Sequence, residues 1–466
     1  MIPTIAEAAR LIERKALSPV ELTAECSARI EQLQPVIHAF VTPTLELAFE
    51  QARAAEREIA RGGYRGPLHG IPIGLKDIFN TAGIRTTANS RQLIDNVPRV
   101  DATTVRKLAD AGTILMGKLT MHEFALGGPS FDLPWPPARN PWNTERHTGG
   151  SSSGTGAAVA AGLVLGGTGT DTGGSIRSPA AYCGLSGMKP TYGRVSKAGI
   201  IPLSFSLDHA GPMAWTAEDC ALLLQAMAGY DVDDPTSANQ PVPDFCGELE
   251  GSIRGVRIGV VRHFFERDNP IHPVTHAALE AAIGELRSAG AVIRDVTLPP
   301  LVEWTSCLSI LNMSESFTIH RDLLRTRFKD YGERLRDRLL LGATISASDY
   351  IAATRRRRQL CSELAATMQD VDILLTAAVG GEAPLIADVP KWGGFEKPSY
   401  LMPFNLSGTP AMAICIGFGA NGLPLSMQLA GKPFAEPTIF HVAHAYEKLT
   451  QWRSQRPVLN VPDPIL

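Results

Sequence analysis

The sequence predicts an α/β fold, and three observations carry that expectation. Stretches with helical spacing alternate with short buried apolar runs along the whole chain, the pattern of a sheet packed against helices. The 466 residues are 44% hydrophobic and 20% charged, enough apolar material for a large core without staples. Gly (43) and Pro (34) are numerous, which favours many tight turns over a helical bundle.

Taken in order, residues 1–60 read as helical. Ile5, Ala8, Leu11 and Ile12 share one face. Ser18-Pro19-Val20-Glu21 has the form of a capping box with Pro at the first helical position, and Leu22, Cys26, Ile30 and Leu33 continue an apolar stripe. Residues 61–75 break the period with Gly and Pro and then turn strand-like. A helix is predicted over 101–111 and a short strand over Thr113–Met116. Residues 127–156 are loop-rich, while the small residues 157–164 suit a closely packed helix. Another helix is predicted over 217–228. The polar, Pro-rich stretch 231–243 is either a boundary or a surface excursion. Strands are predicted at Arg257–Val261, Asp372–Leu375 and Met412–Ile416, with helices over 273–289, most of 318–369 and 436–452. The run Arg355–Arg358 lies on a helix, where successive side chains diverge by ~100°, so it reads as a solvated surface.

Composition excludes several function classes. Lys+Arg total 44 against Asp+Glu 47, a formal charge of −3, which argues against a surface that neutralises many phosphates. Seven scattered cysteines form no C-x-x-C pair and read as reduced thiols. The N-terminus lacks an apolar signal core, and the longest small-apolar run, 156–167, is too short to cross a bilayer. A cytoplasmic protein is expected. His441/His444 and His272/His276 lack an H-E-x-x-H context, so neither a metal nor another cofactor is expected.

Three stretches could carry chemistry. Lys76 ends the apolar run Gly70–Leu75; it is either a lysine reaching for water or a desolvated base. Gly149–Gly156 is rich in Gly and Ser. Its Gly150–Gly154 core formally matches a nucleophile elbow centred on Ser152, but the preceding residues 137–148 are too polar and Pro-broken for the buried strand an elbow needs. In Gly169–Arg177, two glycines precede Ser175, a turn whose N–H groups suit an oxyanion.

Together and in this order, these stretches resemble the amidase signature family. The likeness extends over Pro202–Pro212 and Pro403–Pro410, and the 24-residue spacing from Ser151 to Ser175 fits the family. The resemblance implies a single large α/β domain with a central mixed sheet covered by helices on both faces. Residues 1–60 would form a helical segment packed on the core and 61–466 the signature domain. It also implies a Ser-Ser-Lys triad: Ser175 as nucleophile, Ser151 as proton shuttle behind a cis Gly150–Ser151 peptide, and neutral Lys76 as base. The backbone of Thr172, Gly173, Gly174 and Ser175 would form the oxyanion hole.

Two branches of the family compete. The segment 303–360 and Phe404–Gly408 favour a stand-alone amidohydrolase acting on small or moderately hydrophobic amides, anilides, carbamates (urethanes) or esters. The run Thr376–Gly381 replaces a usual Thr-Pro and would open the pocket, with Phe131, Trp135, Trp392, Phe395 and Tyr400 as candidate lining. On this reading the partner is a small molecule, with no nucleic acid and no membrane, and a homodimer is compatible. The rival is the glutamine-hydrolysing subunit of a tRNA-dependent amidotransferase, which needs a cation for the substrate's carboxylate. A catalytically silent binding protein is the third reading.

Overall fold

Eleven strands form one mixed sheet in a computed structural model that describes residues 2–459. In chain order the strands are β1 (Phe40–Pro43), β2 (Pro72–Lys76), β3 (Ile114–Leu119), β4 (Arg139–Asn140), β5 (Asn143–His147), β6 (Gly166–Asp171), β7 (Ser186–Lys189), β8 (His209–Ala214), β9 (Arg257–Val260), β10 (Val292–Asp295), β11 (Ile373–Ala377), β12 (Ala411–Phe418) and β13 (Pro424–Gly431). Strands β4 and β5 form a separate hairpin; the large sheet runs β1-β3-β2-β6-β8-β7-β12-β13-β11-β9-β10. Pairings β2/β3 and β2/β6 are parallel, whereas β6/β8 and β12/β13 are antiparallel. Helices flank this sheet, as expected of the α/β class.

Local chemistry accounts for the elements that position the site. Ser18 caps the helix Pro19–Ile37 in the predicted capping box, with Glu21 returning the hydrogen bond. Strand β2 is buried at every position, so its last residue, Lys76, enters the core rather than snorkelling to water. The helix Ser153–Ala160 is made of small residues and wholly buried. It begins four residues before the predicted helix, because the Gly/Ser cluster itself supplies its first turn.

Several strands carry no alternation for the eye to find. β6 (Gly-Gly-Thr-Gly-Thr-Asp) and β8 lie in the middle of the sheet, buried on both faces. β7, β10 and β13 likewise fall outside the predicted strands. The helix Leu301–Thr326 starts well before residue 318. The stretch 231–243 is a surface excursion clasped to its neighbours: Asp231 accepts from Ser196 Oγ at 2.5 Å and Asp234 from the Lys197 N–H at 2.8 Å. Among the described residues no helix is long and apolar enough to cross a membrane.

Candidate active site

Strand pairing brings the three chemical stretches together. β2 ends at Lys76 beside β6, whose Thr168 hydroxyl accepts the Lys76 N–H at 3.1 Å. Two residues on, Thr170 Oγ1 lies 2.7 Å from Lys76 Nζ, and Ser151 Oγ lies 2.8 Å from the same nitrogen. All three side chains are buried. Burial pushes the Lys76 amine down to about 7, against the opposing pull of the Asp171 and Asp208 charges.

The Gly150–Ser151 peptide is cis, as the resemblance implies. His122 packs behind it. Its backbone N–H donates to the Ser151 carbonyl at 3.0 Å, and a Cβ on residue 150 would collide with its ring, so only glycine fits there. Burial, then the charges of His147, Lys76, Arg338 and Arg334, hold the His122 ring neutral. Ser152 does different work. Its hydroxyl meets the backbone of Thr170 at 3.3–3.4 Å and its N–H donates to the Ser175 carbonyl at 3.2 Å, tying the two serine segments. Among the described residues no His–Asp pair addresses its hydroxyl, which closes the elbow reading.

Ser175 is half-buried and therefore reachable, at the entry to the helix Arg177–Cys183. The preceding turn is held by a buried ion pair. Asp171 accepts from Arg177 at 2.9 and 3.0 Å and from Asn405 Nδ2 at 2.7 Å. Burial alone would raise the Asp171 carboxyl, but Arg177 holds it well below the usual range. Arg177 reaches on to the Leu401 carbonyl at 2.9 Å and to Gln428 and Asn405 at 2.5 Å. The same Asp171 carboxylate takes the N–H groups of Gly174 at 2.7 Å and Ile176 at 3.1 Å. The Gly174 N–H, expected in the oxyanion hole, is thus turned inward and spent on Asp171. Gly174 itself is needed for its φ of +123° and because a Cβ would strike Leu401. Thr172 Oγ1 donates to Asp208 at 2.6 Å, which braces the other end of the turn.

The Lys76–Ser151 contact is present, but no hydrogen bond joins the hydroxyls of Ser151 and Ser175 among the described residues.

The proposed lining residues separate. Phe131 is 57% exposed beneath Arg139, and Trp135 is half-buried beside Arg85. Trp392 and Phe395 pack on each other, under Lys391 and Arg338 respectively. Tyr400 is buried behind the wall, its hydroxyl donating to the Asn269 carbonyl. The residues that face the turn are instead Leu401, Met402 and Leu308: a Cβ on Gly174 would strike Leu401, and one on Gly173 would lie 3.6 Å from Met402 and 3.8 Å from Leu308. Sequence reasoning misses them because isolated aliphatic residues carry no signal. Asp171, Arg177 and Asn405 lie within the quoted motifs, and an acid and a base six residues apart in a glycine turn is the available clue.

On the same side, the helix Glu333–Gly342 presents Arg334 and Arg338, one turn apart. Arg334 donates to the Val389 carbonyl at 2.8 Å and Arg338 to that of Lys391 at 2.6 Å. The nearby acids are engaged elsewhere, Glu333 and Asp337 by Lys391, so neither arginine has a carboxylate partner among the described residues. Arg334 Nη1 is buried without a hydrogen-bond partner. Burial and the neighbouring Arg334 charge lower Arg338 to about 10. At the surface, Glu266, His276 and Glu280 cluster, but Arg262 already bridges both carboxylates.

Comparison with known proteins places this geometry. The amidase family model matches residues 21–440. The Glutamyl-tRNA(Gln) amidotransferase A subunit of Methylococcus capsulatus is 41% identical, over 97% of this chain and 98% of its own. A solved structure from work on a vestigial protein complex and the origins of an s-triazine catabolic enzyme superposes with a TM-score of 0.90 at 33% identity, over 96% of this chain and 98% of that one. The Glutamyl-tRNA(Gln) amidotransferase A subunit of Thermotoga maritima does so with 0.81 at 33% identity, over 96% and 94%. These likenesses overturn two expectations. A stand-alone amidohydrolase for apolar amides, anilides or carbamates gives way, because the match to the amidotransferase chain, at 41% identity, covers 97% of this chain. A chain with only a small-molecule partner and no link to nucleic acid gives way for the same reason. The net-charge argument speaks only for this chain's own surface, and in a multi-chain assembly another chain can hold the RNA.

Proposed function

The chain belongs to the amidase family and is an enzyme of C–N bond cleavage, and we propose that it is the glutamine-hydrolysing subunit of a tRNA-dependent amidotransferase, releasing ammonia for a partner subunit that acts on charged tRNA. The observation that carries this reading is the 41% identity to such a chain over 97% of the length. The geometry adds support. Arg334 and Arg338 offer the cation that a free carboxylate requires, on a helix whose N-cap Gly332 is bonded to Glu123, the residue after His122, and have no acidic partner of their own among the described residues.

In this reading Ser175 Oγ attacks the side-chain amide carbon of glutamine. Its proton passes through Ser151 to the neutral amine of Lys76. The N–H groups of Thr172, Gly173 and Ser175 take the charge that develops on the carbonyl oxygen. As the tetrahedral species collapses, the C–N bond breaks, Ser151 returns the proton to nitrogen and ammonia leaves. Water then attacks the acyl group on Ser175, gives a proton to the same base, and releases glutamate with Ser175 restored. The seven cysteines are free thiols, which favours a cytoplasmic setting.

The test is glutamate release by the purified chain, alone and with its candidate partner subunits and glutamylated tRNA. Glutamine hydrolysis that climbs on adding both supports the reading; hydrolysis of other amides with glutamine left untouched under every condition rejects it.

A further inference from the structure

Glu123 is a buried carboxylate that the proposed reaction does not use. It joins three segments of the site. Ser90 Oγ donates to its Oε1 at 2.5 Å, and the Gly332 N–H donates to its Oε2 at 2.9 Å. Gly332 is the residue from which the helix carrying Arg334 and Arg338 begins. The preceding residue, His122, holds the Ser151 carbonyl. Ser90 lies in a loop anchored beside the base, where Asp77, the neighbour of Lys76, accepts from the Thr87 N–H at 2.9 Å and the Ala88 N–H donates to the Asp77 carbonyl at 2.8 Å.

The backbone at this junction is unusual. Ala88, Asn89, Phe124 and Ala125 all have φ between 44° and 63°, a region that non-glycine residues seldom occupy. The two strained pairs meet through the Phe124 N–H donating to the Ala88 carbonyl at 3.0 Å. Around them a small hydrophobic cluster, separate from the main core, packs Ala88 and Phe124 against Leu324, Tyr331, Leu335 and Leu339. Strain persists where surrounding contacts over-determine it, and such contacts collect at sites that must be held in register. Here the strained pairs adjoin the Glu123 strut, since Phe124 follows Glu123 and Asn89 precedes its partner Ser90.

We propose that Glu123 is a positioning residue for substrate choice, fixing the arginine-bearing helix at a set distance from the serines so that amides carrying a carboxylate are preferred. This rests on the glutamine reading and on Arg334 and Arg338 receiving the carboxylate. Loss of the strut lets the helix start drift from the His122–Ser151 segment. A substrate spanning both ends then binds less well, whereas a substrate held only at its amide end is affected far less.

The experiment compares kcat and KM for glutamine and for valeramide, an uncharged primary amide. Glu123→Ala is expected to lower the glutamine-to-valeramide ratio of kcat/KM by ten- to a hundredfold, mainly through a higher KM for glutamine. Glu123→Gln keeps an acceptor for Gly332 and is expected to hold the ratio within a few-fold of wild type. Ser90→Ala removes one of the two bonds, together with the cap that the Ser90 hydroxyl offers the Gln92 N–H, and no core volume; it is expected to shift the ratio in the same direction by several-fold, and it decides the matter if Glu123→Ala does not fold. Equal losses on both substrates, or an unchanged ratio in Glu123→Ala and Ser90→Ala, overturn the positioning role while leaving the glutamine reading intact. A wild-type enzyme that turns over glutamine without preferring it to valeramide overturns the proposal on substrate choice, and one that turns over valeramide and leaves glutamine untouched overturns the glutamine reading, before any variant is measured.

Discussion

Lys76 Nζ and Ser151 Oγ lie 2.8 Å apart, both buried, at the meeting of a strand end and a glycine-serine turn. An amine there is held near neutrality by burial rather than by an acid partner. The pH dependence follows from that. The charged form dominates below about pH 7 and cannot accept a proton, so kcat/KM should rise with pH through about 7 and level above it. Lys76→Arg should not rescue the loss seen in Lys76→Ala, because guanidinium stays charged. A profile flat from about pH 5 to 9, with chemistry rate-limiting, contradicts the assignment.

Ser175→Ala should lower kcat by several orders of magnitude. The side chain is half-exposed and carries no packing role, so stability should change by no more than about 0.5 kcal/mol. A fluorophosphonate should label the wild-type chain at Ser175, read by mass spectrometry, and the alanine variant not at all.

The two neighbouring serines should differ sharply. Ser151→Ala removes the hydroxyl beside Lys76 and should cost orders of magnitude, more for amides than for activated esters, whose leaving group needs no proton. Ser152→Ala loses only contacts of 3.3–3.4 Å to the Thr170 backbone and should be mild. Steady-state kinetics on both substrate types distinguishes them, and the reverse order would remove Ser151 from the relay.

Arg177→Ala should destabilise the fold by about 3–5 kcal/mol, because it leaves the Asp171 carboxylate buried and uncompensated. The denaturant midpoint reports this. Activity should fall too, since the same carboxylate orients the turn through the Gly174 and Ile176 N–H groups.

Arg338→Gln should raise KM for glutamine by roughly 10- to 100-fold, as expected for losing a hydrogen bond to a charged group worth ~1.5–3 kcal/mol. Kinetics with glutamine and an uncharged amide checks it, and equal KM values in variant and wild type remove Arg338 from the carboxylate's site.

Much of the site is legible in the sequence because its chemistry is compressed into short motifs. Lys76, Ser151 and Ser175 stand out by glycine and serine density, and helix caps such as Ser18 announce themselves by residue type. What stays hidden has physical causes. β6 and β8 lie buried on both faces and are built mostly of Gly, Thr and Ala, so they show no alternation. The inward turn of the Gly174 N–H depends on a carboxylate three residues earlier, and nothing in residue order reveals which amide it captures. Arg334 and Arg338 carry no motif of their own, and only the fold ties the start of their helix to Glu123, next to His122. The sequence points to the wrong branch of the family because 303–360 and Phe404–Gly408 read as closer to the general amidases and because loop residues such as Phe131 and Trp392 suggest an apolar pocket, whereas those rings sit under cations.

Glutamate release from glutamine identifies the substrate most directly. The purified chain should hydrolyse glutamine, and the rate should rise several-fold or more when partner subunits and glutamylated tRNA are added together. Glutamine left intact in the full mixture, by a preparation whose Ser175 reacts with fluorophosphonate and which turns over other amides, would contradict it.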